Sequence, residues 1–270
     1  MPTIRIQPIV LVSLALVAGV SRLDAAGLQG GRLTHAVHEV RIAESGSPPK
    51  RVTTNANVAG GAVRTGVDSR AEITFADQSV VRLGDKTDLG IDSQSRTIDL
   101  KSGALLTQIP SGVGGTTLKV RDIVATATGT TLIVEYSPDQ YAKFISAEGT
   151  SRLCLKRSTW STDCVLLRPG QMIIVGPNAK MLPEAVDVDL GRFIETCHFI
   201  TQFPALPGQE RLVKAVAAQR HQKSHGTFAD TNLVILGRGT LVSKRDAAGA
   251  PSPAKGPSDK VSPTPAPPRP

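Results

Sequence analysis

The run Leu118-Lys119-Val120-Arg121-Asp122-Ile123-Val124-Ala125-Thr126-Ala127-Thr128-Gly129-Thr130-Thr131-Leu132-Ile133-Val134-Glu135-Tyr136 decides the fold class. Most of it is β-branched or small, the composition of a pleated, half-buried surface. It predicts two strands meeting at Gly129-Thr130-Thr131. The glycine marks a sharp bend, a bulge or a close approach of another backbone, because a Cβ is penalised where φ is positive. No nucleophile in the run has a base beside it, so the run is architecture.

The same pattern extends to both sides. Arg70 to Phe75 alternates polar and apolar residues, as a half-buried strand does. Ser79 to Leu83, Thr97 to Lys101 and Ala104 to Ile109 read as strands, the last two flanking a turn at Ser102-Gly103. Ala36 to Ile42, Tyr141 to Ser146, Thr150 to Leu155 and Met172 to Val175 read likewise. Short strands with turn signals every eight to twelve residues predict an all-β fold, a solenoid-like or barrel-like stack. From Pro183 to Phe203 the apolar positions Val186, Leu190, Phe193, Ile194 and Cys197 take a helical spacing, and Glu210 to Gln219 suits a second helix. Asn232 to Leu236 suits a strand, and the Pro-, Ser-, Ala- and Lys-rich end cannot bury enough surface to fold. The expected division is a signal peptide at 1–26, a strand-and-loop lead-in at 28–66, a β domain at 67–176, a helical extension at 177–243 and a disordered tail at 244–270.

The formal net charge is +8, with Lys244, Arg245, Lys255, Lys260 and Arg269 in the tail against Asp246 and Asp259. A basic chain suits nucleic acid, an anionic membrane surface or an acidic polymer. Aromatic residues make up only 3% and do not interleave with the basic ones, which speaks against stacking on nucleic acid. Arg5, the apolar run Ile9 to Val20 and the small residues Ala25-Ala26-Gly27 form the pattern of a secretory signal. That run is shorter than the roughly 20 residues a membrane span takes. The expectation is an exported protein, periplasmic or at the cell surface, without a transmembrane anchor. Cys154 and Cys164 flank a polar segment. If the flanks pair as a hairpin the two sulfurs face each other and can bridge; otherwise they are two thiols near in sequence, and an oxidising compartment favours the disulfide. Cys197 reads as a buried thiol.

Five pieces occur in a telling order: Phe75-Ala76-Asp77-Gln78-Ser79-Val80-Val81-Arg82-Leu83, Arg96 to Gly103, Val124 to Val134, Ala147-Glu148-Gly149-Thr150, and Leu167-Arg168-Pro169-Gly170-Gln171. Over about Arg70 to Val175 the chain resembles the FecR domain, the extracytoplasmic module of bacterial envelope regulators. The resemblance implies an all-β module with solenoid-like stacking and a role in protein–protein signalling, receiving a signal from an outer-membrane receptor that imports iron-chelates. Family members pass that signal on through a transmembrane helix and a cytoplasmic helical segment to a sigma factor. Neither is expected here, so transfer across the inner membrane by this chain alone is not expected.

Candidate sites are few. His35 and His38 fall on opposite faces of a strand, and His221 and His225 lack a third donor, so no metal site is expected. Asp85 with Asp88, and Asp187 with Asp189, are spaced like solvated loop acids. Gly112, Gly114 and Gly115 lack the Lys-Ser/Thr and helix of a phosphate cradle. No catalytic residue and no cofactor are expected. Trp160, between the two cysteines, is either an interface anchor or packs back on its hairpin. The leading expectation is a non-catalytic, exported module that binds another envelope protein through a strand edge, the Cys154–Cys164 loop or Trp160, an outer-membrane receptor's signalling domain being one candidate partner. The alternative is a structural or carbohydrate-binding surface module whose basic tail touches anionic polymer.

Overall fold

In a computed structural model, residues 28, 30–44, 46–158, 161–222, 228–229 and 244–245 are described. Strands follow in the order β1 (Gly31–Val37), β2 (Val40–Ala43), β3 (Lys50–Val52), β4 (Asn57–Val58), β5 (Gly61–Thr65), β6 (Arg70–Thr74), β7 (Val80–Leu83), β8 (Asp88–Asp92) and β9 (Thr97–Ile109). Next come β10 (Thr116–Val120), β11 (Ile123–Ala127), β12 (Thr130–Ser137), β13 (Tyr141–Glu148), β14 (Ser151–Ser158), β15 (Ser161–Leu167), β16 (Gln171–Val175) and β17 (Val186–Asp187). Helices α1 (Leu190–Thr196), α2 (His198–Thr201) and α3 (Gln209–Gln222) follow, then β18 (Phe228–Ala229) and β19 (Lys244–Arg245), which pair with each other.

The strands form two sheets that share β9. One sheet runs β4-β1-β6-β7-β9-β12-β13-β16-β17, antiparallel throughout. The other runs β3-β2-β5-β8-β9-β10-β11-β14-β15, with only β9 and β10 parallel. Neither sheet closes on itself. One apolar core fills the space between them: Leu33, Ile73, Leu83, Leu132 and Phe144 come from the first sheet, and Val63, Leu89, Ile98, Leu118 and Leu153 from the second.

The two sheets differ on their outer faces. On the first, Val80, Leu106, Ile133, Ile145 and Met172 meet Leu190, Phe193, Leu206 and Leu212 of the helical segment. This sheet is therefore covered on both faces, and all eight residues of β13 are buried. The second sheet keeps its outer face open, so β10 and β11 alternate buried and less buried positions. The alternation-based reading of Arg70 to Phe75 as half-buried fails for that reason: Glu72, on the helix side, is buried.

Several boundaries also differ from expectation. Leu118 to Tyr136 contains three strands, because Arg121 (φ 52) and Asp122 turn the chain without a glycine or proline. Gly129 (φ 61) is the corner between the open and the covered sheet. Ala36 to Ile42 is two strands, broken at His38 (φ 60). Conversely, Thr97 to Ile109 is one strand where two were expected. Its Gly103 (φ 92) carries β9 from one sheet to the other, and a Cβ there would meet the Thr87 Cα at 2.5 Å. The helical period from Pro183 begins only at Leu190, where the Asp189 side chain accepts from the Arg192 N–H as N-cap. It breaks at Cys197, whose extended backbone (φ −71, ψ 117) separates α1 from α2. Asn232 to Leu236 lies outside the described residues.

Candidate interaction site

The hairpin β14–β15 sits at one end of the open sheet. Cys154 and Cys164 are directly opposite in its register and are disulfide-bonded, with 4.1 Å between their Cα atoms. So short a separation belongs to the non-hydrogen-bonded type of antiparallel pair, about 4.5 Å against about 5.5 Å for the bonded type. Residues in such pairs turn their N–H and C=O away from the partner strand. Counting by two along β15, Thr162, Cys164 and Leu166 therefore aim their backbone groups at the free edge, and all three are exposed. Asp163 and Val165 point theirs back to β14.

Sheet edges left unpaired attract other strands, and proteins blunt them by shortness, proline or lysine. Of the four outermost strands, β4 and β17 have two residues each and pair only with Gly31-Arg32 of β1 and Gln171-Met172 of β16. The edge at β3 has three, Lys50-Arg51-Val52, preceded by Pro48-Pro49. β15 has seven, Ser-Thr-Asp-Cys-Val-Leu-Leu, with no proline or lysine. Leu166 is 56% exposed. The one charge, Asp163, turns inward and accepts the Leu182 N–H at 2.7 Å, so it does not guard the edge.

Where β15 begins, a groove of about 470 Å³ opens between the hairpin, the Arg121-Asp122 turn and the loop Pro177 to Lys180. Arg121, Lys156, Arg157 and Lys180 line it against one carboxylate, Asp122. Arg121 pairs with Asp122 at 3.3 Å. The other three cations form no ion pair with described residues.

A second set of charges lies where the helical segment meets the sheet, with Arg82 and Glu72 the deepest of them. The Arg82 side chain, fully buried, donates to Glu72 Oε2 at 2.7 Å and to the carbonyls of Phe199 and Pro204 at 2.5 Å each. The Phe203 ring centroid lies 4.9 Å from its guanidinium carbon. Burial pulls this guanidinium below its ordinary value while Glu72 holds it up. The Gln108 side-chain Oε1 accepts the Gly208 N–H at 2.8 Å, and Glu148 accepts from Arg211 at 2.8 Å and from the Thr131 hydroxyl at 2.9 Å. Lys143 pairs with Glu135, which also accepts the Tyr141 hydroxyl. Arg82, Gln108 and Glu148 fasten the segment 198–211 to the sheet, whereas Lys143 and Glu135, both on the sheet, line a groove of about 400 Å³ with Cys197 and His198; each of these charges has a partner.

The residues singled out from sequence fare unevenly. Cys154 and Cys164 come together; Trp160 lies outside the described residues, as does His225. Cys197 is a half-buried free thiol beside Arg82 and Lys143, pushed up to about 11 by burial. His35 packs against Phe203 with 5.5 Å between ring centroids, and His38 Nδ1 lies 2.7 Å from the Asp68 carbonyl. Asp88 pairs with Arg64, while Asp85 lines a shallow groove beside α2. Among the described residues no group of three or more His, Cys, Asp or Glu side chains could hold a metal ion, and no helix is long and apolar enough to cross a membrane. The cations at the turn end of the hairpin went unread because they come from three separate segments. Arg82 carried a signal, a lone charge within the apolar Val80-Val81-Arg82-Leu83.

Residues 61–147 match the family model described as FecR protein. No curated protein matches the sequence. Two crystal structures of a "putative anti-sigma factor" from Parabacteroides distasonis ATCC 8503, at 2.50 and 1.65 Å, are similar, each at 10% identity with a TM-score of 0.41. They cover 69% and 68% of this chain and 99% and 98% of their own.

Proposed function

We propose that this chain, which carries a FecR domain over residues 61–147, is a non-catalytic signalling module of the bacterial envelope that docks a protein partner by strand addition on β15. One observation carries the reading: β15, with seven residues, is the longest of the four outermost strands, the other three having two or three residues each. The hairpin lies beyond the family match, so the module adds its own docking element to a shared β framework, which we read as solenoid-like. The disulfide fits an oxidising compartment, in keeping with an export signal at 1–26 and a periplasmic or surface location. An outer-membrane receptor's signalling domain is the candidate partner, with Trp160, which falls between β14 and β15 in sequence, as a further candidate contact.

The test is a photo-crosslinking side chain at position 166 in living cells. A discrete protein adduct that disappears with Thr162→Pro supports the proposal, because that change removes an outward N–H and none of the hairpin's own ladder bonds. An adduct unchanged by Thr162→Pro, or adducts to polysaccharide alone, contradicts it.

A further inference from the structure

We infer that the segment recognised by β15 has an acidic flank, which seats in the groove lined by Arg121, Lys156, Arg157 and Lys180. The inference rests on the strand-addition reading and adds the chemistry of the partner to it.

The placement follows from the hairpin. β15 offers seven residues, about 23 Å at about 3.3 Å each. Ser161, its first residue, is part of the groove wall, so a strand laid along β15 leaves it directly at the groove. An antiparallel addition delivers its C-terminal flank there, a parallel one its N-terminal flank. Three of the four cations are unpaired among the described residues. The floor is partly apolar, with Leu155, Pro177 and Ala179, which suits the methylenes of Asp or Glu better than a strongly hydrated inorganic anion. Complementary charge of this kind steers encounter and selects among partners that satisfy the same backbone bonds.

The test is selection from a random displayed library of peptides about 12 residues long, long enough to span β15 and the groove, on the immobilised full chain. The expected result is peptides with Asp or Glu clustered at one end. Their binding should weaken about tenfold or more between about 50 and about 500 mM NaCl. The triple variants Lys156→Glu/Arg157→Glu/Lys180→Glu and Lys156→Gln/Arg157→Gln/Lys180→Gln should lose these peptides, with folding checked by far-UV circular dichroism; the glutamine set serves if the glutamate set unfolds. Peptides without acidic bias that are lost on Thr162→Pro overturn the acidic flank and leave strand addition standing. An empty selection, with heparin or polyphosphate held at the groove and lost in the triple variants, overturns both and makes the groove a polymer site. An empty selection with no polyanion bound overturns the acidic flank as well.

Discussion

Replacing Arg82 with Met should detach the helical segment from its sheet. Arg82 is fully buried, and its three nitrogens serve Glu72 and the carbonyls of Phe199 and Pro204. Methionine keeps much of the volume but leaves the Glu72 carboxylate buried, with the Thr34 hydroxyl at 2.8 Å as its remaining side-chain donor. Breaking a buried ion pair by removing one member costs about 3–5 kcal/mol. The two orphaned carbonyls add about 1–3 kcal/mol each if the segment stays in place. Letting segment 198–204 swing out to water is the cheaper response, so the expected loss is about 3–5 kcal/mol. Urea unfolding measures it, and limited proteolysis should find new cleavage within 198–211. The double variant Arg82→Met/Glu72→Met, which removes the unpaired carboxylate, should recover part of it. A loss under about 1 kcal/mol, or a double variant no better than the single, would refute the claim that this pair holds the segment.

Removing the disulfide with Cys154→Ala/Cys164→Ala should cost about 2–3 kcal/mol in urea unfolding, as expected for so short a closed loop, and loosen the β14–β15 hairpin before the rest. Gly149→Ala should destabilise by at least about 2 kcal/mol, measured the same way: at φ 71 its Cβ would sit 2.2 Å from the Gly129 carbonyl oxygen at the corner between sheets. Cys197, pushed up to about 11 from an ordinary 9.0, should resist maleimide near neutral pH in the native chain and react readily in Arg82→Met. Because the folded state holds that proton more tightly than the unfolded one, this thiol's contribution to stability is intact below about pH 9. It is lost as pH rises from about 9 to about 11, a trend that urea titrations at stepped pH and a Cys197→Ala control would reveal.

Runs of β-formers between turn residues were enough to find β6, β7, β13 and β16. Local pattern failed where the determinant lies outside the run. Glu72 and Arg82 look solvent-facing by period, yet a helical layer more than a hundred residues later covers their face. Ser102-Gly103 looks like a turn because Gly serves turns and sheet-to-sheet crossings alike, and only Thr87 packed against it tells them apart. The Arg121-Asp122 turn escaped because a charged residue took the left-handed conformation. The cysteines at the candidate site were legible from their spacing and polar insert. That β15 is an edge was not, because sheet order is a property of long-range pairing and no local signal in Ser161 to Leu167 encodes it.

If β15 presents unpaired backbone groups on its outer side, residue-resolved amide hydrogen exchange on the free protein reveals them. Fast exchange is expected at Thr162, Cys164 and Leu166, alternating with slow exchange at Asp163 and Val165. Uniform protection along Ser161 to Leu167 would show the edge already satisfied and contradict β15 as the docking strand.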